Sequence, residues 1–169
     1  MSKPARKSKK RASSRPRDGK IYSLEVSLLK GWITEEFARK NKEVSRTIEI
    51  RGDQTLHDLH NVIFDAFDRF DEHLYEFQFG EKPRDRGAVR YGRPEVPEMD
   101  YEDASAAAVG ALGLAVGDVF FYWFDFGDDW WHQIKVLAIG EKPRKGKYPR
   151  IISRVGESPP QYPPLDEED

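Results

Sequence analysis

The chain has 169 residues, no cysteine, 34% charged residues and a formal net charge of −2. The absence of cysteine excludes a disulfide scaffold, a thiolate-ligated zinc or iron–sulfur site and a cysteine nucleophile. Four Trp, seven Tyr and ten Phe provide enough bulky apolar surface for one core of domain size without a metal or disulfide staple.

Charge is distributed unevenly. Residues 1–20 hold nine Lys or Arg against Asp18 alone, a surplus of +8, so the other 149 residues carry −10. A Ser- and Pro-containing segment with no large apolar side chain after Met1 buries too little surface to offset its chain entropy, and 1–20 is expected to be a disordered tail. Its run Lys7, Lys9, Lys10 and Arg11 suits contact with phosphates or an acidic partner, by counterion release; a solvated tail, or one folded back on the acidic domain, fits equally well. The tail lacks the apolar run of a secretory signal. The stretch from Ala106 to Val116 is shorter than the roughly 20 residues a membrane helix needs. A soluble cytoplasmic protein is expected.

From Ile21, Tyr22, Leu24, Val26 and Leu28 alternate with polar residues as a strand with one buried face. After a polar connection through Lys40, Asn41 and Lys42, Val44, Arg46, Ile48 and Ile50 share one parity of a second strand, which ends at Gly52-Asp53. Thr55 and Asp58 form a capping-box signature. It opens a helix whose apolar stripe is Leu56, Leu59, Ile63, Phe67 and Phe70. His57 and His60, three apart, have the spacing to share a metal, but His57 is expected to face solvent and His60 to border the stripe. Tyr75, Phe77 and Phe79 predict a third strand, 81–103 a long loop and 104–114 a short helix weakened by Gly110 and Gly113. Val119 to Phe126 and Trp130 to Ile139 predict a hairpin, and Tyr148 to Val155 a last strand. Residues 158–169, Pro-rich and ending in Asp166 to Asp169, read as a surface strap or linker. One domain over 21–157 follows, of α+β class: a mixed sheet packed by one main helix plus a short one, in the β-grasp-like order of hairpin, helix and further strands.

A two-residue turn at Gly127-Asp128 would pair Asp125 with Trp130 and Trp123 with His132. One face then collects Val119, Phe121, Trp123, Asp125, Trp130, His132, Ile134 and Val136, placing Asp125 and His132 at the rim of the core. Three readings fit this cluster: a structural Asp125–His132 hydrogen bond, a metal or hydrolytic site using Asp125, Asp128, Asp129 and His132, and a binding rim anchored by Trp130 or Trp131. Asp125-Phe126-Gly127 matches the kinase tripeptide without any of the other kinase motifs, and no phosphate-binding loop, nucleotide fingerprint or nucleophile elbow is present, so no cofactor is predicted.

The blocks Thr55 to Ile63 through Ala66-Phe67, His73 to Phe77, Tyr122 to His132 with Ile134, and Tyr148-Pro149-Arg150 with 156–163 together resemble the plasmid pRiA open-reading-frame-three-like family over about residues 21–165. The resemblance implies an α+β fold related to the β-grasp, in a family of passengers of plasmids and insertion elements without an assigned activity. It marks His73, Asp125, Gly127, Asp128, Trp130 and His132 as the recurring candidate binding residues. The chain departs from the family pattern at Glu43-Val44-Ser45-Arg46, where Pro-Pro and Trp-Arg are usual, and at Asp68-Arg69, where Gly-Trp is usual. The resulting expectation is a non-enzymatic binding or adaptor domain with protein or nucleic acid as partner. The alternative is a metal-dependent hydrolase or nuclease centred on Asp125, Asp128 and His132, with His73 as a further ligand.

Overall fold

The computed structural model describes residues 19–95, 99–141 and 144–164. Eight strands form one sheet: β1 (Ile21–Lys30), β2 (Ser45–Arg51), β3 (Tyr75–Phe79), β4 (Val89–Gly92), β5 (Glu102–Asp103), β6 (Val119–Phe124), β7 (Trp130–Gly140) and β8 (Arg150–Val155). Their order across the sheet is β5-β4-β3-β6-β7-β1-β2-β8, with the β4–β5 contact parallel and the other neighbours antiparallel. Helices α1 (Glu35–Lys40) and α2 (Leu56–Ala66) complete an α+β domain. Among the described residues, no helix is long and apolar enough to cross a membrane.

The capping box forms as the sequence predicts: the Thr55 hydroxyl accepts from the Asp58 N–H and the Asp58 carboxylate from the Thr55 N–H. It fixes the start of α2, whose buried Leu59, Ile63 and Ala66 join Leu24, Val26, Ile48 and Ile50 from β1 and β2 in one core. Phe70, the expected end of the stripe, lies past the helix and is exposed.

Three local expectations are revised. The polar connection after β1 contains α1, whose Thr34 side chain accepts from the Phe37 N–H, with Glu35 and Glu36 in its first turn and Arg39 and Lys40 in its last; caps and charge order carry it in place of an apolar stripe. The loop 81–103 contains β4 and β5. The short helix over 104–114 is instead two 3-10 turns, Ala104–Ala106 and Val109–Ala111, with Ala108 between them bridged to Thr55.

The hairpin register also differs. Phe124 pairs with Trp130 and Tyr122 with His132, so the turn comprises five residues, Asp125 to Asp129. Asp125 and Asp129 both take left-handed conformations (φ 55° and 64°), which Asp tolerates better than most residues. The Asp125 carbonyl accepts the Asp129 N–H at 2.7 Å, closing the turn. The longer turn inverts the expected parity of β6: Phe120, Tyr122 and Phe124 join Trp130, His132, Ile134 and Val136 in the core, and Trp123 stacks on Trp131 on the other face, ring centroids 5.1 Å apart.

Candidate functional site

The register separates the predicted site residues. Trp130 and His132 point into the core, whereas Asp125, Gly127 and Asp128 belong to the turn, Asp125 buried at its start, Gly127 exposed and Asp128 half-buried. His132 is completely buried and both ring nitrogens are committed: Nδ1–H donates to the Tyr122 carbonyl (3.1 Å) and Nε2 accepts from Nη2 of Arg69 (2.8 Å). Burial, followed by the Arg69 charge, holds its pKa well below the ordinary imidazole value. A neutral ring with its lone pair occupied has nothing left to bind a metal, so Asp125, Asp128 and His132 are not a shared ligand set. Among the described residues no group of three or more His, Asp or Glu side chains is placed to hold a metal ion.

Arg69 is buried, and desolvation pushes its guanidinium down to about 10. The group lies 5.0–5.2 Å from the ring centroids of Phe67, Phe124 and Trp130, where the aromatic faces partly replace its hydration. Its Nη1 and the Trp130 Nε1 are buried without a hydrogen-bond partner among the described residues.

His73 belongs to a second group, at the surface. Its Nε2 lies 2.9 Å from the Tyr162 hydroxyl, 3.4 Å from Asp125 and 3.6 Å from Asp71. The Tyr162 hydroxyl donates to Asp71 at 2.5 Å, so the His73 Nε2–H is the donor to Tyr162. Asp128 is held above the usual carboxylate range by burial, then by the charge of Asp125 and its hydrogen bond with that residue. Gln161 positions Tyr162: its Oε1 accepts from the N–H groups of Phe70 and Asp71 and its Nε2 donates to the Asp71 carbonyl. Pro159, Gln161 and Pro163 face inward along this strap. Around Tyr162 (38% exposed) stand Trp32 (43%) and Phe70 (72%), both edge-on to its ring, with centroids 6.4 and 5.7 Å away.

Asp129, a candidate metal ligand by sequence, is already saturated. Its carboxylate accepts from the indole N–H groups of Trp123 and Trp131 (2.8 Å each), from Arg84 (2.9 Å to both oxygens) and from Lys30 (2.8 Å). Burial would raise its pKa, but these donors hold it below the usual value.

The histidines of α2 are more engaged than expected. His57 is half-buried, its Nδ1 2.8 Å from the Tyr75 hydroxyl. His60 is buried in the core, its ring parallel to Tyr75 at 3.8 Å, its Nδ1 at the Tyr122 hydroxyl and its Nε2 at Glu72, both 2.6 Å. They floor a cavity of about 370 Å³ with Asn61, Glu72, Tyr75 and Arg93.

The sequence carries no site signal for Asp71 or Trp32, and places Phe70 only in the helix stripe, Tyr162 only in the C-terminal strap and Arg69 only at a departure from the family pattern. The tail residues Lys7, Lys9, Lys10 and Arg11 lie outside the described residues.

The fold and this surface define a one-sheet α+β domain with a histidine-and-carboxylate rim around exposed aromatics. The chain belongs to the plasmid pRiA4b ORF-3-like protein family, whose pattern matches residues 33–162. It is similar in fold to a protein of unknown function, MM3350, from Methanosarcina mazei Go1: 22% identity, 83% of this chain and 72% of that chain covered, TM-score 0.65. No curated protein matches the chain.

Proposed function

We propose that this chain is a non-enzymatic binding module that docks a cationic segment of a partner protein on the Trp32–Tyr162–Phe70 surface. The observation that carries the reading is the coincidence of three exposed aromatics, Trp32 and Phe70 each edge-on to Tyr162, with the exposed carboxylate of Asp71, the half-buried one of Asp128 and the buried one of Asp125. Aromatic faces attract Lys and Arg heads, and adjacent carboxylates supply the countercharge. The repulsion between Asp125 and Asp128 gives the site an electrostatic reason to take a cation, since His73 is the one titratable base within ion-pair distance of Asp125 among the described residues. A Pro-lined groove of about 230 Å³, walled by Trp32, Phe37, Pro159 and Pro163, continues the surface.

The tail contact with nucleic acid through Lys7, Lys9, Lys10 and Arg11 belongs to this reading and rests on charge alone. The β-grasp relationship rests on the hairpin–helix order of β1, β2 and α2; the antiparallel junction of β1 with β7 is the feature that a stricter β-grasp assignment has to accommodate.

The test is fluorescence anisotropy of a labelled Lys/Arg-rich peptide on the full chain. Phe70→Ala and Asp128→Asn are each expected to weaken binding by about tenfold, the scale of a typical interface anchor, with the unfolding midpoint unchanged. Equal affinity in both variants and the parent would overturn the proposal.

A further inference from the structure

A second surface lies at the opposite end of the sheet. Residues 141–150 hold Lys142, Arg144, Lys145, Lys147 and Arg150 against Glu141, inside a part of the chain that is otherwise strongly acidic. Arg144, Lys145 and Lys147 are exposed, and among the described residues none of the three has an ion-pair partner, whereas Arg150 is held by Glu49 at 2.9 Å.

Residues 144–150 are pinned in place. The Tyr148 hydroxyl accepts from the Arg144 N–H (3.1 Å) and donates to the Arg144 carbonyl (3.2 Å), while the Tyr148 carbonyl accepts from Nε2 of Gln54 (2.6 Å). The Arg150 guanidinium stacks over the Tyr148 ring at 4.5 Å. Gly146, at φ 133°, provides a bend that side-chain-bearing residues rarely adopt. Folding has therefore already ordered the backbone that presents the three cations, which lowers the entropic cost of binding.

Its position matters as much as its charge. Gly140, the last residue of β7, pairs with Ile21, the first of β1. The Lys20 carbonyl accepts from the Gly52 N–H, two residues before the Gln54 that holds Tyr148. The basic N-terminal segment thus joins the fold beside the basic loop. The ten residues of β1, at about 3.3 Å each, separate this end from Asp125 and Asp128. A polyanion lying here avoids the acidic rim.

We propose that Arg144, Lys145 and Lys147, in the connection between β7 and β8, bind the phosphate backbone of a nucleic acid, beside the point where the chain enters β1. Separated point charges without an exposed apolar anchor suit a ligand of evenly spaced phosphates, recognised without sequence readout. The proposal is independent of the cationic-segment surface.

The test uses the full chain, a labelled DNA duplex of about 20 base pairs and a salt series. The variant Arg144→Gln/Lys145→Gln/Lys147→Gln is compared with Lys7→Gln/Lys9→Gln/Lys10→Gln/Arg11→Gln. Each lost phosphate contact lowers the slope of log affinity against log salt by about 0.9, so the loop variant is expected to lose about 2 to 3 units of slope. It should retain the parent's unfolding midpoint and its binding of the basic peptide. An unchanged slope in the loop variant overturns the proposal, whatever the tail variant does. Equally tight, loop-dependent binding of a poly-aspartate of matching charge overturns the assignment to nucleic acid. Loss of peptide binding by Phe70→Ala leaves the DNA result untouched, so the two readings fail separately.

Discussion

Nη2 of Arg69 donates to Nε2 of His132 at 2.8 Å inside the core, while Nη1 of the same guanidinium has no hydrogen-bond partner among the described residues. A permanent cation is thus held against a neutral base, with the faces of Phe67, Phe124 and Trp130 around it. The bond also sets the tautomer of His132, since the accepting Nε2 leaves Nδ1 to carry the hydrogen donated to Tyr122.

Removing one partner is expected to cost more than removing both. Arg69→Met orphans the buried Nε2 of His132, a loss of about 1–3 kcal/mol, partly offset by relief of the buried charge. Arg69→Met/His132→Phe removes the orphan as well. Urea unfolding of the two singles and the double should give a coupling of about 1–2 kcal/mol; strict additivity would show that the two side chains act independently.

Acid sensitivity follows from the buried imidazoles. Burial holds His132 and His60 below their ordinary pKa, against the opposing pull of Glu72 on His60. Above about pH 6.5 both are neutral in the folded and unfolded states and contribute no pH dependence. Below it the unfolded chain takes up protons that the folded chain refuses, so stability falls as pH drops, with a limiting slope of about 1.4 kcal/mol per pH unit for His132 and a smaller contribution from His60, whose shift Glu72 opposes. Urea midpoints measured from about pH 7.5 down to 5.5 should show this slope, reduced by one histidine's share in Arg69→Met/His132→Phe. A flat profile in the parent would contradict the neutral assignment.

The sequence made six of the eight strands, helix α2 and its cap legible because each is written in local periodicity, as in Tyr22, Leu24 and Val26 or the Thr55–Asp58 pair, whereas the short β4, β5 and α1 carry too few residues to show a period. The hairpin register was not legible, because Gly127-Asp128 is a plausible two-residue turn and the preference that overrode it is the left-handed backbone of Asp125 and Asp129. The three extra turn residues invert the parity of β6 and move Asp125 away from the face that a two-residue turn would share with His132. Arg69 was invisible for a different reason: its burial depends on rings from α2's end, β6 and β7 that meet only in the fold. Yet Asp68-Arg69 departs from the family's Gly-Trp. Asp68 indeed takes a left-handed φ of 54°, a conformation glycine accepts without strain, and Arg69 fills a slot walled by aromatic rings. The strap's alternation of Pro159, Gln161 and Pro163 spans too few residues to register as a period.

Asp129 is expected to be the structural keystone of the hairpin. Asp129→Ala leaves the indole N–H groups of Trp123 and Trp131 without their shared acceptor and removes the partner of Arg84 and Lys30. A cost of about 1–3 kcal/mol is expected, with a smaller one for Asp129→Asn, which keeps an acceptor oxygen and tolerates the left-handed backbone. Near-ultraviolet circular dichroism of the stacked Trp123–Trp131 pair should change in the same order. Equal behaviour of the two variants would mean that the indole bonds contribute little.

Gln161 connects stability to the docking surface. Its amide satisfies three backbone groups of Phe70 and Asp71, and the next residue in the chain is Tyr162, the ring between Trp32 and Phe70. Gln161→Glu retains an acceptor for the two N–H groups but replaces the donor facing the Asp71 carbonyl with a negative oxygen, so like partial charges meet across a short gap. The strap should detach locally while the sheet stays intact, because its bonds are confined to one surface. The expected result is faster amide exchange at Phe70 and Asp71, which lose a held acceptor, and weaker binding of the basic peptide by about tenfold, with the global unfolding midpoint moving little. Exchange that rises without any loss of peptide affinity would separate the strap from the recognition surface and assign docking to Phe70 and the carboxylates alone.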